Sequence, residues 1–271
     1  MTSRIIIGAG LGDEGKGLFT DYLCRHCVHP LVIRFNGGQQ AGHTVVAGAV
    51  RHVFSNFGAG TLQGAPSYFS HFCTVDPIAI VNELETLQAK GISPQLFIDA
   101  RAPITTPYDI HHNQAHRPHG SCGVGVGDTL NREQHHYSLT FGDLRFPWVL
   151  HTRLALIRRF YPDCATLDTD PFLDSCAAIN ASPHIHLCHG LPAGDWSDHL
   201  YEGAQGLLLD QRHGFFPYVT RSNTGATNAI ALMEAFNAPD DPEFYLVTRA
   251  YQTRHGEGPL SNEDRPHAIQ A

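Results

Sequence analysis

Lysine is scarce in this chain: its 271 residues include only Lys16 and Lys90, against sixteen arginines. The sequence also has no apolar run that approaches the roughly 18 residues needed to span a bilayer, and no basic leader followed by an apolar segment. We therefore expect a cytoplasmic protein. A formal net charge of −8 disfavours a general surface for nucleic acids or anionic membranes.

Cysteine is present but forms no dense framework, since the seven residues are scattered and odd in number. Reduced thiols are therefore expected. The segment 24–27 has C-x-x-C spacing, with His29 close by, but a structural zinc site needs a second ligand pair and none is obvious. A cluster of His184, His186 and His189 is the other open metal alternative.

A glycine-rich loop follows the first apolar run of the chain. Ile5–Ile7 predict a buried strand, and residues 10–17 (GLGDEGKG) fit G-x-x-x-x-G-K up to Lys16. The Ser or Thr that normally follows this lysine and holds Mg²⁺ is replaced by Gly17. Asp13 is the nearest acid that could hold the metal, and it could also take a proton from the phosphate acceptor. The loop therefore predicts phosphoryl transfer to a weakly acidic small molecule.

The apolar periodicity predicts an α/β fold with a mainly parallel central sheet flanked by helices, of the P-loop NTPase type. Strands are expected at 4–8, 31–33, 96–98 and 244–247, and helices at 15–27, 77–90, 151–160, 171–180 and 224–236. Glycine-rich loops are expected at 34–44 and 117–132, an ambiguous segment at 183–200, and a frayed polar tail at 261–271. We see no internal repeat or linker.

Four segments together resemble the adenylosuccinate synthetase family. They are GLGDEGKG at 10–17, RFNGGQQAGHT at 34–44, EGAQGLLLD at 202–210 with PYVTRSNT at 217–224, and RAYQTRHGEGP at 249–259. Because their order and spacing also fit, the resemblance covers essentially the whole chain. It implies a C–N bond-forming ligase, in which GTP phosphorylates the 6-oxygen of IMP and the amine of aspartate then displaces the phosphate.

The same resemblance implies roles for individual residues. Asp13 would remove the N1 proton and bind Mg²⁺, His43 would donate to the γ-phosphate, and Gln205 would position the carbonyl oxygen of the acceptor. The nucleotide would be bound by Gly12, Glu14, Gly15, Lys16, Gly17, Gly42 and Thr44, with the carbonyl of Gly42 facing the metal. The acceptor would be bound by Asn36, Gln40, Ser121, Cys122, Gln205, Thr220 and Arg254. Sites shared between subunits in the family imply a homodimer.

The sequence departs from the family pattern at the nucleotide and at the acceptor. Neither lysine lies in the T-K-x-D or N-K-x-D motif that reads guanine, so GTP and ATP both remain open. Residues 121–124 lack the arginine expected beside the acceptor's 5′-phosphate, and 135–138 replace a second arginine-rich stretch. Because these losses remove charge-assisted hydrogen bonds, we expect a purine-like acceptor that need not be IMP.

We therefore expect residues 1–271 to form a single adenylosuccinate synthetase-like domain without the family's C-terminal region. The predicted activity joins aspartate or a related amine to a purine-like acceptor, with Mg²⁺ and with GTP or ATP as co-substrate. A phosphotransferase that stops after the first step and a non-catalytic nucleotide-binding switch are the alternatives. A further possibility is a second subunit that supplies the elements not found here.

Overall fold

The computed structural model describes residues 2–116, 121–164, 166–238 and 241–260. Within them, the strands are β1 (Thr2–Gly8), β2 (Pro30–Arg34), β3 (His43–Ala47), β4 (Val50–Phe54), β5 (Ser67–Phe69), β6 (Leu96–Asp99), β7 (Ile185–Cys188), β8 (Asp198–Glu202) and β9 (Glu243–Val247). Seven of them form a parallel sheet in the order β7-β6-β5-β2-β8-β1-β9. The other two, β3 and β4, form an antiparallel hairpin.

The helices cover both faces of this sheet. They are α1 (Lys16–Cys24), α2 (Pro77–Ala89), α3 (Pro107–His116), α4 (Val126–Gln134), α5 (Pro147–Phe160), α6 (Asp170–Ala181) and α7 (Thr227–Ala235). On one face, α7 packs on buried side chains that include Ile5, Leu31 and Ile33. On the other, Cys24 of α1 packs on Val32, which alternates with those residues. The predicted α/β fold with a mainly parallel sheet is confirmed.

The bounds of α2 show how the local sequence determines where a helix begins and ends. The carboxylate of Asp76 accepts hydrogen bonds from the backbone N–H groups of Ile78 and Ala79, at 2.9 and 3.2 Å, so it caps the first turn. Pro77 follows the cap at a position that needs no N–H donor. Gly91, with φ of 75°, lies just past the end of the helix. The predicted helix over 77–90 is therefore confirmed to within one residue.

Three predicted irregular segments contain regular structure instead. The loop prediction for 117–132 is wrong from Val126 onward, where α4 begins after Gly125 in a left-handed conformation. The loop prediction for 34–44 is wrong at its end, because β3 starts at His43. The ambiguous segment 183–200 contains β7 and the start of β8. Residues 117–120 and the predicted tail 261–271 lie outside the described residues.

No helix in the described residues is long and apolar enough to cross a bilayer.

His199 makes the stability of this fold sensitive to acid. It lies fully buried in β8, and neither ring nitrogen has a hydrogen-bond partner among the described residues. Burial lowers its pKa below the ordinary value of about 6.5. Below that pH, the unfolded chain takes up a proton that the folded chain does not, so stability is lost as the pH falls.

We expect His199→Gln to flatten the pH dependence of the unfolding free energy. Between pH 7.5 and 5.5, the variant should lose up to about 1.4 kcal/mol less than the wild type. The measurement is urea unfolding at the two pH values, and His111→Gln, at an exposed position, is the control. If the His199 variant and the wild type have equal slopes, His199 is not the group that titrates.

Candidate active site

The predicted site residues meet because three neighbouring strands end at the same edge of the sheet. Strand β8 lies between β1 and β2, and its last residue Glu202 is in register with Ile6 of β1 and Arg34 of β2. The loops that follow these strands carry the segments 9–15, 35–42 and 203–206. In parallel sheets, ligands bind at this carboxyl edge.

The loop between β1 and α1 holds an anion, and that anion is the side chain of Glu14. Its Oε1 accepts hydrogen bonds from the N–H groups of Gly10 and Gly12, at 3.0 and 2.8 Å, and its Oε2 lies 2.7 Å from Lys16 Nζ. Burial opposes ionisation of this carboxyl, but the Lys16 charge and the loop amides outweigh it and lower its pKa. The loop is therefore shaped and charged to bind negatively charged oxygens.

Close contact with His43 explains why Gly17 stands where a phosphate loop normally has Ser or Thr. A Cβ atom on Gly17 would lie only 2.5 Å from the Cβ of His43. Any side chain at this position would push β3, which begins at His43, away from α1. The chain thus carries a histidine beside the phosphate loop in the space that a hydroxyl side chain would need.

We expect Gly17→Ala to displace His43 and to destabilise the fold by about 1–3 kcal/mol, as overpacking commonly does. Gly127→Ala is the matched control, since Gly127 is also the second residue of its helix and a Cβ there would lie 3.7 Å from its nearest neighbour. This control should be neutral or slightly stabilising. Thermal unfolding of both variants tests the expectation, and equal midpoints would contradict it.

A buried carboxylate orients His43. Its Nδ1 lies 2.7 Å from Glu202 Oε1, while Glu202 Oε2 accepts a hydrogen bond of 3.1 Å from the N–H of Ala59. Burial raises the pKa of Glu202, but His43 and Arg34 pull it below its usual value. An ionised carboxylate only accepts hydrogen bonds, so Nδ1 of His43 carries the proton. Burial also lowers the pKa of His43, against the effect of Glu202.

The role of Glu202 was missed by the sequence analysis. The resemblance at 202–210 assigns no role to this first residue of the segment. The available signal was an acidic residue at the end of a strand, directly before the glycine-rich segment. Its partner His43 is 159 positions away in the sequence, so the pair could not be read from local spacing.

Gln205 offers an unpartnered amide at the same edge. It adopts a left-handed conformation with φ of 56°, and its carboxamide oxygen and nitrogen are buried without a hydrogen-bond partner among the described residues. The backbone of Ala204 is held by Asn36, whose side-chain nitrogen donates to its carbonyl at 3.0 Å and whose oxygen accepts from its N–H at 2.7 Å. Asn36 is fully buried, and these two bonds fix the backbone of the residue just before Gln205.

Gln205 also lies close to the phosphate loop. A Cβ atom on Gly12 would lie 3.9 Å from its Cα. Gly12 and Gly15, with φ of 93° and 97°, adopt left-handed conformations. Asp13 lies between them with φ of 60° and a side chain that is 36% exposed. Gly12 therefore lies near the backbone of Gln205, and Gly17, at the start of α1, lies close against His43.

Two of the predicted acceptor-binding segments lie against each other. Gln39 Nε2 donates to the carbonyl of Val124 at 3.4 Å, which joins the loop after β2 to the segment before α4. Next to it, Gln40 Oε1 is buried without a partner among the described residues. Ser121 Oγ donates to Asn113 Oδ1 at 2.7 Å. The loop that carries Gln39 and Gln40 therefore meets the 121–125 segment at Val124, while Ser121 is tied to α3 through Asn113.

The remaining predicted residues differ in their exposure and in the hydrogen bonds that they make within the protein. Cys122, Gly42 and Thr44 are exposed. Thr220 donates its backbone N–H to the carbonyl of Leu209 at 2.8 Å. Arg254, in contrast, uses its guanidinium to organise its own loop.

Arg254 donates to three backbone carbonyls, those of Tyr218, Glu257 and Pro259, at 3.2, 2.9 and 3.0 Å. These bonds hold the 249–259 segment against the 217–224 segment. In this arrangement, the guanidinium is engaged by the protein itself. The next residue, His255, contacts Asp13 with 2.5 Å between Nε2 and Oδ2.

Comparison with known proteins agrees with this geometry. The profile of the adenylosuccinate synthetase family matches residues 5–270. Adenylosuccinate synthetase of Nitratidesulfovibrio vulgaris (strain Miyazaki F) is 31% identical over 287 residues, which cover 97% of this chain and 66% of that protein. The enzyme of Desulfosudis oleivorans is 34% identical over 288 residues, with the same coverage.

Two solved structures have a similar fold. Fully ligated adenylosuccinate synthetase from Plasmodium falciparum superposes with a TM-score of 0.78 at 20% identity, over 97% of this chain and 66% of that one. Succinoaminodeoxyadenylate synthetase of cyanophage S-2L, bound to dGMP and to dATP as an energy donor, gives 0.63 at 18% identity, over 88% and 60%. The chain spans about 65% of the length of the curated relatives it matches. With a family profile that matches nearly every residue, the chain belongs to the adenylosuccinate synthetase family.

Proposed function

We propose that this protein is a nucleotide-dependent ligase that phosphorylates a purine-type carbonyl oxygen and then lets an amine displace the phosphate. The observation that carries the proposal is the position of Asp13. It is an acid within an anion-binding loop, and Gly12 of the same loop lies near the backbone of Gln205, whose buried carboxamide has no partner among the described residues. A base from this loop and an amide from the neighbouring segment would match the N–H and the carbonyl oxygen of a lactam.

In the first step, Asp13 takes the ring N–H proton of the acceptor. A lactam N–H is a much weaker acid than a carboxylic acid, so a positioned base is needed. Negative charge then builds up on the carbonyl oxygen, which Gln205 holds through its carboxamide. That oxygen attacks the terminal phosphorus of the nucleotide, and the nucleoside diphosphate leaves.

The phosphates of the nucleotide would take the place that Glu14 occupies in this structure. Lys16 and the N–H groups of Gly10 and Gly12 would then bind phosphate oxygens in place of the carboxylate. His43, held through Nδ1 by Glu202, would donate through Nε2 once its ring is protonated, and the phosphate charge favours that protonation. These groups together offset the charge of the transferring phosphoryl.

A magnesium ion fits the oxygen atoms that this site offers. Mg²⁺ commonly binds through one or two carboxylates together with substrate phosphates and water. Asp13 is partly exposed at the loop and Gly42 is exposed beside His43, so the Asp13 carboxylate and the Gly42 carbonyl would hold the ion. When bound, it would supply charge neutralisation at the phosphates.

In the second step, the amine of aspartate or a related amino acid attacks the phosphorylated carbon. A C–N bond forms, the C–O bond to phosphate breaks, and the amine loses a proton. Either GTP or ATP is proposed as the energy donor. The cyanophage relative with bound dATP supports an adenine nucleotide, while the usual family donor is a guanine nucleotide. A cytoplasmic homodimer is part of the same proposal.

The decisive experiment measures phosphate release with Mg²⁺ and each nucleotide, in the presence of IMP, inosine or hypoxanthine and with or without aspartate. We expect release only when both an acceptor and an amine are present. Release with acceptor alone would favour the phosphotransferase. If the protein binds nucleotide in a thermal-shift assay but releases no phosphate under any combination, the result would favour the non-catalytic nucleotide-binding switch.

A further inference from the structure

A cavity between α3, α5 and α6 shares no residue with the candidate active site. Its volume is about 600 Å³, within the range of about 300–1,000 Å³ of pockets that hold small organic molecules. The apolar part of its lining includes Leu154, Ala155 and Leu173. The rest of the lining carries mostly cations and hydroxyl groups, so the cavity combines apolar surface with hydrogen-bond donors.

The cations of this cavity come from α5. Arg158 and Arg159, in the last turn of the helix, are exposed and line the cavity, and the exposed His151 lines it two turns earlier. Neither guanidinium forms an ion pair or a hydrogen bond within the described residues. Arginines in a last turn stabilise the end of a helix, but that role accounts for no other part of the cavity.

Tyr108, near the start of α3, brings a buried hydroxyl group to the same cavity. The residue is only 5% exposed, lines the cavity, and makes no side-chain hydrogen bond to any described residue. Burial raises the pKa of its phenol, and the nearby charge of Arg158 acts against that rise. The phenol is therefore protonated at neutral pH and able to donate. Because buried donors normally have an acceptor, an acceptor atom of a ligand fits this position.

The start of α6 adds a further hydroxyl group and a partial positive charge. Thr169 lines the cavity as the N-cap residue of this twelve-residue helix, and its side chain makes no capping hydrogen bond. The first N–H groups of a helix give its N-terminus a partial positive charge. Asp163, Asp168 and Asp170 lie nearby in the sequence, but they are exposed and do not line the cavity. Every permanently charged side chain of the lining is therefore a cation.

We propose that this cavity binds an oxyanion group, phosphate or carboxylate, of a small organic molecule. Arg158 and Arg159 would bind the oxyanion through charge-assisted hydrogen bonds, Tyr108 would donate its hydroxyl, and the apolar lining would contact the rest of the molecule. The helix α3 also carries Asn113, which accepts a hydrogen bond from Ser121 at 2.7 Å. The ligand would therefore touch the helix that holds a predicted acceptor-binding segment. This site is independent of the proposed function.

The test is calorimetric titration with phenyl phosphate and with benzoate, which carry the two kinds of oxyanion on the same flat apolar group. Tyr108→Phe removes the hydroxyl but keeps the buried ring, and it should weaken binding by about 10-fold or more, the usual effect of losing a hydrogen bond to a charged group. Arg158→Gln should weaken binding at least as much. Arg153→Gln, on the same helix but outside the lining, is the matched control and should bind like the wild type.

A parallel titration of Lys16→Met separates this cavity from the phosphate loop, which also binds anions. Binding that depends on Tyr108 should persist in the Lys16→Met background. Its loss there, wild-type binding by both Tyr108→Phe and Arg158→Gln, or no binding of either probe up to about 10 mM, would overturn the proposal. An equal loss in Arg153→Gln would show a general effect of charge and would also overturn it. Tyr108-dependent binding supports the proposal with either probe, and the probe that binds more tightly identifies the oxyanion as phosphate or carboxylate.

Discussion

Replacing Asp13 with asparagine is expected to lower the rate of acceptor-dependent phosphate release by about 10²- to 10⁴-fold, the usual contribution of a general base. The amide has nearly the same shape as the carboxylate but cannot take a proton at neutral pH. Nucleotide affinity should change by much less, since Lys16 and the N–H groups of Gly10 and Gly12 form the anion site without using the Asp13 side chain.

The measurement is steady-state phosphate release together with nucleotide binding by calorimetry, both at several Mg²⁺ concentrations. Titrating the metal separates loss of the base from weaker metal binding, because only the second is restored by excess Mg²⁺. Asp195→Asn, at an exposed position away from the loop, should keep the wild-type rate. A variant at Asp13 that turns over at the wild-type rate would reject its role as the base.

Replacing Glu202 with glutamine is expected to have the next largest effect, an activity loss of about 10- to 100-fold, comparable to losing an orienting partner of a metal-bound histidine. The neutral amide keeps the volume of the carboxylate but no longer stabilises a protonated His43 ring. Glu202→Ala should in addition destabilise the fold by about 3–5 kcal/mol, because it leaves the buried His43 without its partner.

A double-mutant cycle with His43→Asn tests whether Glu202 acts through His43. If it does, the double variant should be hardly less active than His43→Asn alone. Losses that multiply would show that Glu202 affects activity by another route. Thermal unfolding of all four proteins separates this effect from loss of folded protein.

Local sequence was sufficient for the phosphate loop. Its glycines, its lysine and the apolar run before it determine a strand, a turn and a helix start without help from distant residues. The prediction that Asp13 lies within this loop, beside groups that bind an anion, follows from the same few positions. The helix α2 is a second case, since its cap at Asp76 and its stop at Gly91 are neighbours in the chain.

Strand β8 shows why the sequence pattern does not predict every strand and helix. Its sequence, DHLYE, carries two acids and a histidine, so it does not look like a central buried strand. Those charges are tolerated because their partners come from elsewhere: Arg4 lies 2.5 Å from Asp198, and His43 lies 2.7 Å from Glu202. Likewise, α4 buries Arg132 against Asp109 of α3, a pairing that local periodicity does not reveal.

The amino-acid sequence by itself determined which chemical groups the site possesses, because glycine spacing and short-range hydrogen bonding set the backbone of each loop. The tertiary structure decided which of those groups meet. Strand order places β8 between β1 and β2, and the hairpin that begins at His43 packs over that edge, where His43 meets Glu202. The fold of the 249–259 segment likewise brings His255 to Asp13. Contacts of this kind depend on burial and charge pairing between distant segments, which no local pattern contains.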